Sequence, residues 1–409
     1  IPASGGTKEM VASGAISGAG VSVALNSDGT VSEITDTRVA AAYGATQAVT
    51  THVGSYSPYN ICGVWHAEQE KIVVAWADNS VGGAWNNYRF FTVAGTVSGD
   101  TITFGTILTV YASNLNQYEM ALHYDPDSYK LWYEYHPYSG NITIASATLS
   151  GTTITIAATL DTGRNTGKYG STTMTSFVNV GSQVVFCVGH YTTVSEAEWF
   201  CVTESGGTIT MGAVLEDDST NNAGMGNPVY LSTPDRIVYL SGVGYGASRR
   251  ITTLTLSGTT LAIDQQTDFA AMGWDTIQYG HRDFMSPTSD SYKVVAGGSL
   301  DSTGEQLSSV VYTITAGAAT TASSSTQQPI PGFDGTFAEW VSATYLADGR
   351  YLFATASSHK EYAVTCELNL STGVLAVAGS YVESPVNALS PTQEGTLRNG
   401  AQAEVAAGK

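Results

Sequence analysis

Charge is what this chain has least of. Charged residues make up 12% of its 409 positions, about half the ordinary share of a globular protein. Lys and Arg total only 16, and they do not cluster. A protein that binds a polyanion needs a basic patch, so nucleic acid is excluded as a partner. The formal net charge of −19 instead keeps a surface soluble and resists non-specific association. That suits an exposed, extracellular setting.

Long apolar runs are missing as well. None reaches the roughly 18 residues that a transmembrane helix needs, so no membrane insertion is expected. The N-terminus, IPASGGTKEM, has neither the pattern of a signal peptide nor an initiating Met, and reads as a processed or partial chain. Cysteine is scarce: Cys62, Cys187, Cys201 and Cys366 show no CxxC or other metal-ligand spacing. Small buried thiols are expected, with a Cys187–Cys201 disulfide across a hairpin as the alternative. No GxSxG, GxGxxG or Walker motif occurs. NSDGTVSEI (26–34) echoes the Asp box of sialidases but stands once, and reads as a plain hairpin turn. Carboxylates such as Asp275, Asp283 and Glu339 lack a spacing that brings two together for glycoside hydrolysis. YDPDS (124–128) and EDDSTNN (216–222) do not match a calcium loop. No catalytic residue, metal or cofactor is expected.

What fills the chain is Thr, Ser, Gly, Ala and Val, with 23 Tyr. Thr and Val favour strands, and Gly punctuates turns, so almost no helix is expected. One short pattern returns throughout: TVSGDTITFG from Thr96, TLSGTTITIA from Thr148, TESGGTITMG from Thr203 and TLSGTTLAID from Thr255. Each is a strand, a Ser-Gly turn and a second strand. More divergent copies turn at Gly317 and Gly373. Upstream of each lies another strand pair, clearest as CGVWHAEQEKIVVAWA (62–77), MALHYDPDSYKLWYEY (120–135) and NPVYLSTPDRIVYLSG (227–242). Four short antiparallel strands in about 50 residues are the signature of a propeller blade. The second strands, such as KIVVAWA and QVVFCVG, are apolar throughout, as suits strands sandwiched between neighbouring sheets.

The fold expected is therefore all-β: a β-propeller of four-stranded antiparallel blades, six in number, with seven the alternative. Residues 1–58 form an N-terminal segment with a closure or appendage hairpin over 21–36. The propeller spans 59–383, and 384–409 is a tail or connector. Antiparallel alternation sorts the connections. Turns within the first–second and third–fourth strand pairs share one end of the blades and are short. The other end carries longer segments, including DNSVGGAWNNY (78–88), HPYSGN (136–141), YASNLNQY (111–118), DTGRNTGKYG (161–170) and TDFAAMGWDTIQYGH (267–281). Four of the 7 histidines fall there, His136, His190, His281 and His359.

The stretch VASGAISGAGVSVALNSDGTVSEI, followed by Y-D-x-x-x-x-K turns and repeated GTVSGDTITFGT hairpins, resembles repeat-containing structural proteins of tailed phages, marine ones especially. The resemblance runs over residues 9–380 and weakens in the last two blades. It implies a non-enzymatic component of the virion surface, of tail-fibre, tail-associated or head-decoration type. Its partners would be other virion proteins, further copies of itself as a homo-oligomer, and a polysaccharide or protein of the host surface. It transfers no catalytic residues. Exposed aromatics beside Asn, Asp and Arg suit sugars, whose C–H faces pack on flat rings, and also suit protein contacts. The ligand-binding residues expected on the loop-rich end are Trp85, Tyr138, Tyr191, Tyr245, Arg249, Trp274, Tyr279 and His281. A purely structural decoration protein, or a secreted carbohydrate-binding lectin or glycosidase propeller, are the alternative readings.

Overall fold

The computed structural model describes residues 23–25, 31–33, 59–78, 88–99, 101–137, 140–165, 174–189, 197–217, 228–243, 248–269, 283–299, 306–323, 326–329, 340–347, 350–357, 360–377 and 382–383. All regular structure among them is strand. The chain divides into two compact units, Ile1–Ala40 and Ala41–Lys409. The first contains the expected hairpin, in which Val23 lies opposite Glu33 and Leu25 opposite Val31.

The second unit is a propeller of four-stranded antiparallel blades, six among the described residues. Blade 1 is built from Tyr59–His66, Lys71–Asp78, Tyr88–Ser98 and Thr101–Phe104. Blade 2 follows without a break. The 18-residue strand Leu108–Asp125 pairs with blade 1 through its first half and opens blade 2 with its second, followed by Lys130–Pro137, Asn141–Ser150 and Thr153–Asn165. Blade 3 is Met174–Val180, Gln183–Gly189, Ala197–Ser205 and Thr208–Met211, and blade 4 is Val229–Leu231, Arg236–Val243, Ser248–Ser257 and Thr260–Phe269. Blade 5 is Asp283–Pro287, Lys293–Ser299, Gln306–Thr313 and Thr321–Ala322, and blade 6 is Trp340–Ala347, Arg350–Ser357, Lys360–Leu368 and Leu375–Val377.

Three segments expected to be loops prove to be strand. Tyr111–Tyr118 lies inside the long strand, Asp161–Asn165 ends the fourth strand of blade 2, and His136 and Pro137 end its second. Polar residues such as Asn114 conceal this, because a strand is paired through its backbone whatever its side chains are. A second departure is the fourth strand, which is interrupted. In blades 3, 5 and 6 it resumes as Leu215–Asp217, Thr326–Pro329 and Val382–Glu383, each again paired with the third strand.

First strands of successive blades approach one another from Tyr59–His66 through to Trp340–Ala347, which places them innermost. The second strands of blades 2 to 5 are buried on both faces, as their composition requires. Val184, Val185, Phe186, Cys187 and Val188 are all inaccessible to solvent. Aromatic rings fill the seams between blades. Phe90 meets Tyr133 edge-on at 5.7 Å, Trp132 meets Phe186 at 6.3 Å, Trp199 lies 4.4 Å from Tyr239, and Phe269 lies 4.9 Å from Tyr312.

The recurring Ser-Gly turns are the fasteners of these seams. Each is a two-residue turn, as in Ser150 opposite Thr153, and its glycine takes a left-handed conformation (φ 59° at Gly99 and Gly151) that suits hairpin turns. The turn of one blade then docks on the blade before it. Gly151 N–H donates to Gln69 Oε1 at 3.3 Å, Lys130 pairs with Glu204, and Gln183 Nε2–H donates to the Gly258 carbonyl at 2.7 Å. Gly317 N–H donates to Asp264 Oδ2 at 3.1 Å, and Ser309 Oγ–H donates to the Gly373 carbonyl at 3.1 Å. Five consecutive seams are closed in this way. Asp264 also holds Arg236 at 2.7 Å, and that guanidinium keeps its carboxyl below the usual carboxylate range.

The fit is closest at Gly212, where a Cβ would stand 2.0 Å from the Thr259 carbonyl oxygen of the next blade. At Gly151 a Cβ would meet nothing within 4 Å, so only the left-handed backbone opposes a side chain. Gly212→Ala is therefore expected to cost about 3 kcal/mol or more, as overpacking against backbone does. Gly151→Ala should cost about 1 kcal/mol. Urea unfolding of the two variants measures the difference, and equal midpoints would contradict the docking.

Candidate binding face

Second strands end, third strands begin and fourth strands finish at the loop-rich end of the blades. Two arginine–carboxylate assemblies stand there. Arg164 closes the fourth strand of blade 2 and reaches into blade 3. Its Nε donates to Glu198 Oε2 at 2.8 Å, its Nη2 engages Glu198 Oε1, and the same Nη2 donates to Glu216 Oε1 at 2.9 Å. Glu198 and Glu216 are register partners on the third and fourth strands of blade 3, so one guanidinium bridges two carboxylates across the seam. Glu198 is buried, whereas the Arg164 and Glu216 side chains are 31% and 49% exposed. On blade 4, Arg250 forks onto the facing Asp268, with Nε–Oδ1 2.5 Å and Nη2–Oδ2 3.0 Å. Bidentate geometry of this kind is the strong form of the ion pair. It raises the Arg250 guanidinium's pKa and holds the Asp268 carboxyl below its ordinary value. The Asp268 side chain is 57% exposed.

Beneath these pairs lies a buried polar layer. Asp217 accepts hydrogen bonds from the Tyr239 hydroxyl and, at 3.0 Å, from Gln266 Nε2, tying blade 3 to blade 4. Burial first, and then the Asp217 carboxylate, pushes the Tyr239 phenol well above its usual range. Glu134 and His136 stand two residues apart on the second strand of blade 2. They therefore share one face, and His136 Nε2 lies 2.6 Å from Glu134 Oε1 with both side chains closed to solvent. His136 was expected on the loop-rich surface. It is instead part of the seam, because the strand runs through Pro137.

Of the eight residues expected to bind ligand, seven (Trp85, Tyr138, Tyr191, Tyr245, Trp274, Tyr279 and His281) lie outside the described residues. Arg249 opens the third strand of blade 4 opposite Gly242 and Phe269, and is fully buried. It lies one position away from Arg250, and strand alternation turns the two side chains to opposite faces. The ion-paired groups at this end, Arg164, Glu216, Arg250 and Asp268, were not singled out from the sequence. The available signal was charge at strand ends in a chain that has little of it. Of the glycosidase candidates, Asp283 begins the first strand of blade 5, and Asp275 and Glu339 lie outside the described residues. Among the described residues, no group of three or more His, Cys, Asp or Glu is placed to hold a metal ion.

Comparison with solved structures places this architecture. A triple Arg-to-Ala variant of AofleA from Arthrobotrys oligospora superposes with a TM-score of 0.50 at 10% identity, over 82% of this chain and 91% of that one. The fold they share is a β-propeller. An Aleuria aurantia lectin in complex with Fucα1-6GlcNAc gives 0.45 at 10% identity, over 84% and 97% of the two chains. The GH93 α-L-arabinofuranosidase of Fusarium graminearum gives 0.45 at 14%, over 81% and 95%. No family model and no curated protein matches the chain.

The cysteines offer no chemistry here. All four are free and buried. Cys187 faces Trp199 and Cys201 faces Val185, so they are two residues out of register and do not pair. Burial pushes Cys62 and Cys366 up to about 12 and Cys201 to about 11. Cys187 is raised well above its ordinary value by burial, then by the Asp217 and Glu134 carboxylates. A thiol whose folded pKa lies above its unfolded value of about 8.5 stabilises the fold fully below that pH. The contribution is lost as pH rises, by about 1.4 kcal/mol per pH unit for each thiol. Urea midpoints are expected to stay level from about pH 6 to 8 and to fall above about 9, less steeply in Cys187→Ala. A thiol reagent at pH 8 should find no reactive cysteine until the protein unfolds.

Proposed function

We propose that this chain is a carbohydrate-binding propeller without catalytic activity, which takes its ligand at the loop-rich end of the blades. The observation that carries the proposal is the placement of charge. In a chain with 12% charged residues, two Arg–carboxylate assemblies stand part-exposed at that end, Arg164–Glu216 between blades 2 and 3 and Arg250–Asp268 on blade 4. A guanidinium fixed by a carboxylate presents donors and acceptors in a set geometry, which matches the neighbouring hydroxyls of a sugar. The connecting segments at the same end contain Trp85, Tyr138, Tyr191, Tyr245, Trp274 and Tyr279, rings of the kind that pack on sugar C–H faces. Glycoside hydrolysis needs one carboxyl kept protonated beside a second that is ionised. Arg250 holds Asp268 in its ionised form, while Glu198 and Asp217 are buried and engaged by Arg164 and by Tyr239 with Gln266. On a virion surface, the setting that the phage resemblance implies, the ligand would be a polysaccharide of the host envelope.

The test is a glycan array followed by calorimetry on the oligosaccharide that binds. Glu216→Gln and Arg250→Ala should each weaken binding about tenfold, as the loss of a charged hydrogen-bond partner does, with the circular dichroism of the fold unchanged. Undiminished binding in both variants, or release of reducing sugar from the bound glycan, would overturn the reading.

A further inference from the structure

The opposite end of the blades repeats a second pattern that the scaffold does not require. The tetrapeptide Asp-Ser-Tyr-Lys occurs at 127–130 and again at 290–293. Both copies form the turn between first and second strands, in blade 2 and in blade 5. Tyr129 is 51% and Tyr292 42% exposed. The other exposed large apolar residues described, Val97, Ile107 and Ile263, lie on or beside outer strands.

Each tyrosine is pinned through its backbone. The Gln69 N–H donates to His66 Nδ1 at 3.3 Å, which leaves the proton on Nε2, and Nε2–H donates to the Tyr129 carbonyl at 3.2 Å. In blade 5, the Ile314 N–H donates to the Tyr292 carbonyl at 2.9 Å. Below the turns the two copies differ. Asp125 caps the first through the Asp127 N–H at 3.0 Å and the Ser128 hydroxyl, and Thr288 caps the second through the Asp290 N–H at 3.1 Å. Different foundations thus present the same four residues.

Tyr129 also sits where a tyrosine is disfavoured, at φ 57°. A left-handed backbone costs a residue with a Cβ about 1–2 kcal/mol, and the residue just before the second strand is likewise left-handed at Glu70 in blade 1 and Asp235 in blade 4, the latter a residue type that accepts it better. At Tyr129 the fold bears that cost for a ring that stands exposed.

We infer that the two Asp-Ser-Tyr-Lys turns are sugar-binding tips, each stacking one pyranose of a saccharide chain on its tyrosine ring. The charges favour a neutral sugar, because the lysines are already satisfied. Lys293 Nζ is 2.8 Å from Asp290 Oδ2 and lies 5.2 Å from the Tyr292 ring centroid, and Lys130 pairs with Glu204. A protein partner needs a contiguous interface of roughly 1,000 Å². Here single rings stand three blades apart, and the intervening tips are Gly181 and Asp235. Isolated rings of this kind take one sugar residue each. Two of them on one rigid body multiply affinity for a repeating polymer. This site is independent of the loop-rich end.

Tyr129→Asn and Tyr292→Asn, singly and together, test the inference on an array of neutral hexose, 6-deoxyhexose and N-acetylhexosamine oligosaccharides and on the corresponding polysaccharides. The double variant should lose about tenfold or more of a signal that the wild type shows. Either single variant should lose most of the polysaccharide avidity. Thermal midpoints should hold or, for Tyr129→Asn, rise, so loss of binding would not reflect unfolding. A double variant with unchanged array binding overturns the inference, even where Glu216→Gln and Arg250→Ala abolish it. So does a wild type that binds no neutral glycan, or one whose tyrosines support only self-association in sedimentation.

Discussion

A sheet whose second strand is apolar on both faces cannot stand alone in water. Val184 to Val188 of blade 3 are closed to solvent because blade 2 covers one face and blade 4 the other. Every other feature of the propeller follows from that need for neighbours. Rings such as Trp132 against Phe186 and Trp199 against Tyr239 fill the seams, and apolar packing of this kind has little direction of its own. Directional contacts then fix how far one blade slides along the next. The Ser-Gly turn is the part that performs this task, bonded to Gln69, Gln183, Asp264 or Ser309 of the preceding blade. Its recurrence is the repetition of a joint.

Charge in this chain is spent at the two ends of the blades. At the loop-rich end it binds one blade to another, through Arg164 with Glu198 and Glu216, and leaves hydrogen-bonding groups at the surface. At the turn end it locks short hairpins, through Arg236 with Asp264 and Lys293 with Asp290. The buried layer between, with Glu134 against His136 and Asp217 against Tyr239, is costly to leave unpaired. Asp217 with Tyr239 therefore joins blade 3 to blade 4 polar group to polar group as well as ring to ring.

The all-β class, the four-strand unit, the turn glycines and the buried second strands were legible in the sequence, because each is a local pattern. Period-2 alternation, Ser-Gly turns and apolar runs act over a few residues and need no knowledge of neighbours. The site was read less well. Arg249 is chemically a good ligand residue, but it points into a seam while Arg250, one position on, reaches Asp268 at the surface. A one-residue difference in strand parity decides this, and composition carries no record of parity at a strand end. His136 was misplaced for a related reason, since the end of a strand shifts with pairing that lies outside the segment.

The amino-acid sequence by itself determined that this chain builds repeated four-stranded blades and that its charge is sparse and acidic. Tertiary structure alone decided which blade each turn would fasten and which arginines would be buried. It also decided that Tyr129 and Tyr292 would stand exposed at the short-turn end. The physical reason is range. Hairpins are held by bonds between residues a few positions apart, whereas Gly151 finds Gln69 and Arg164 finds Glu198 only after separate blades have packed.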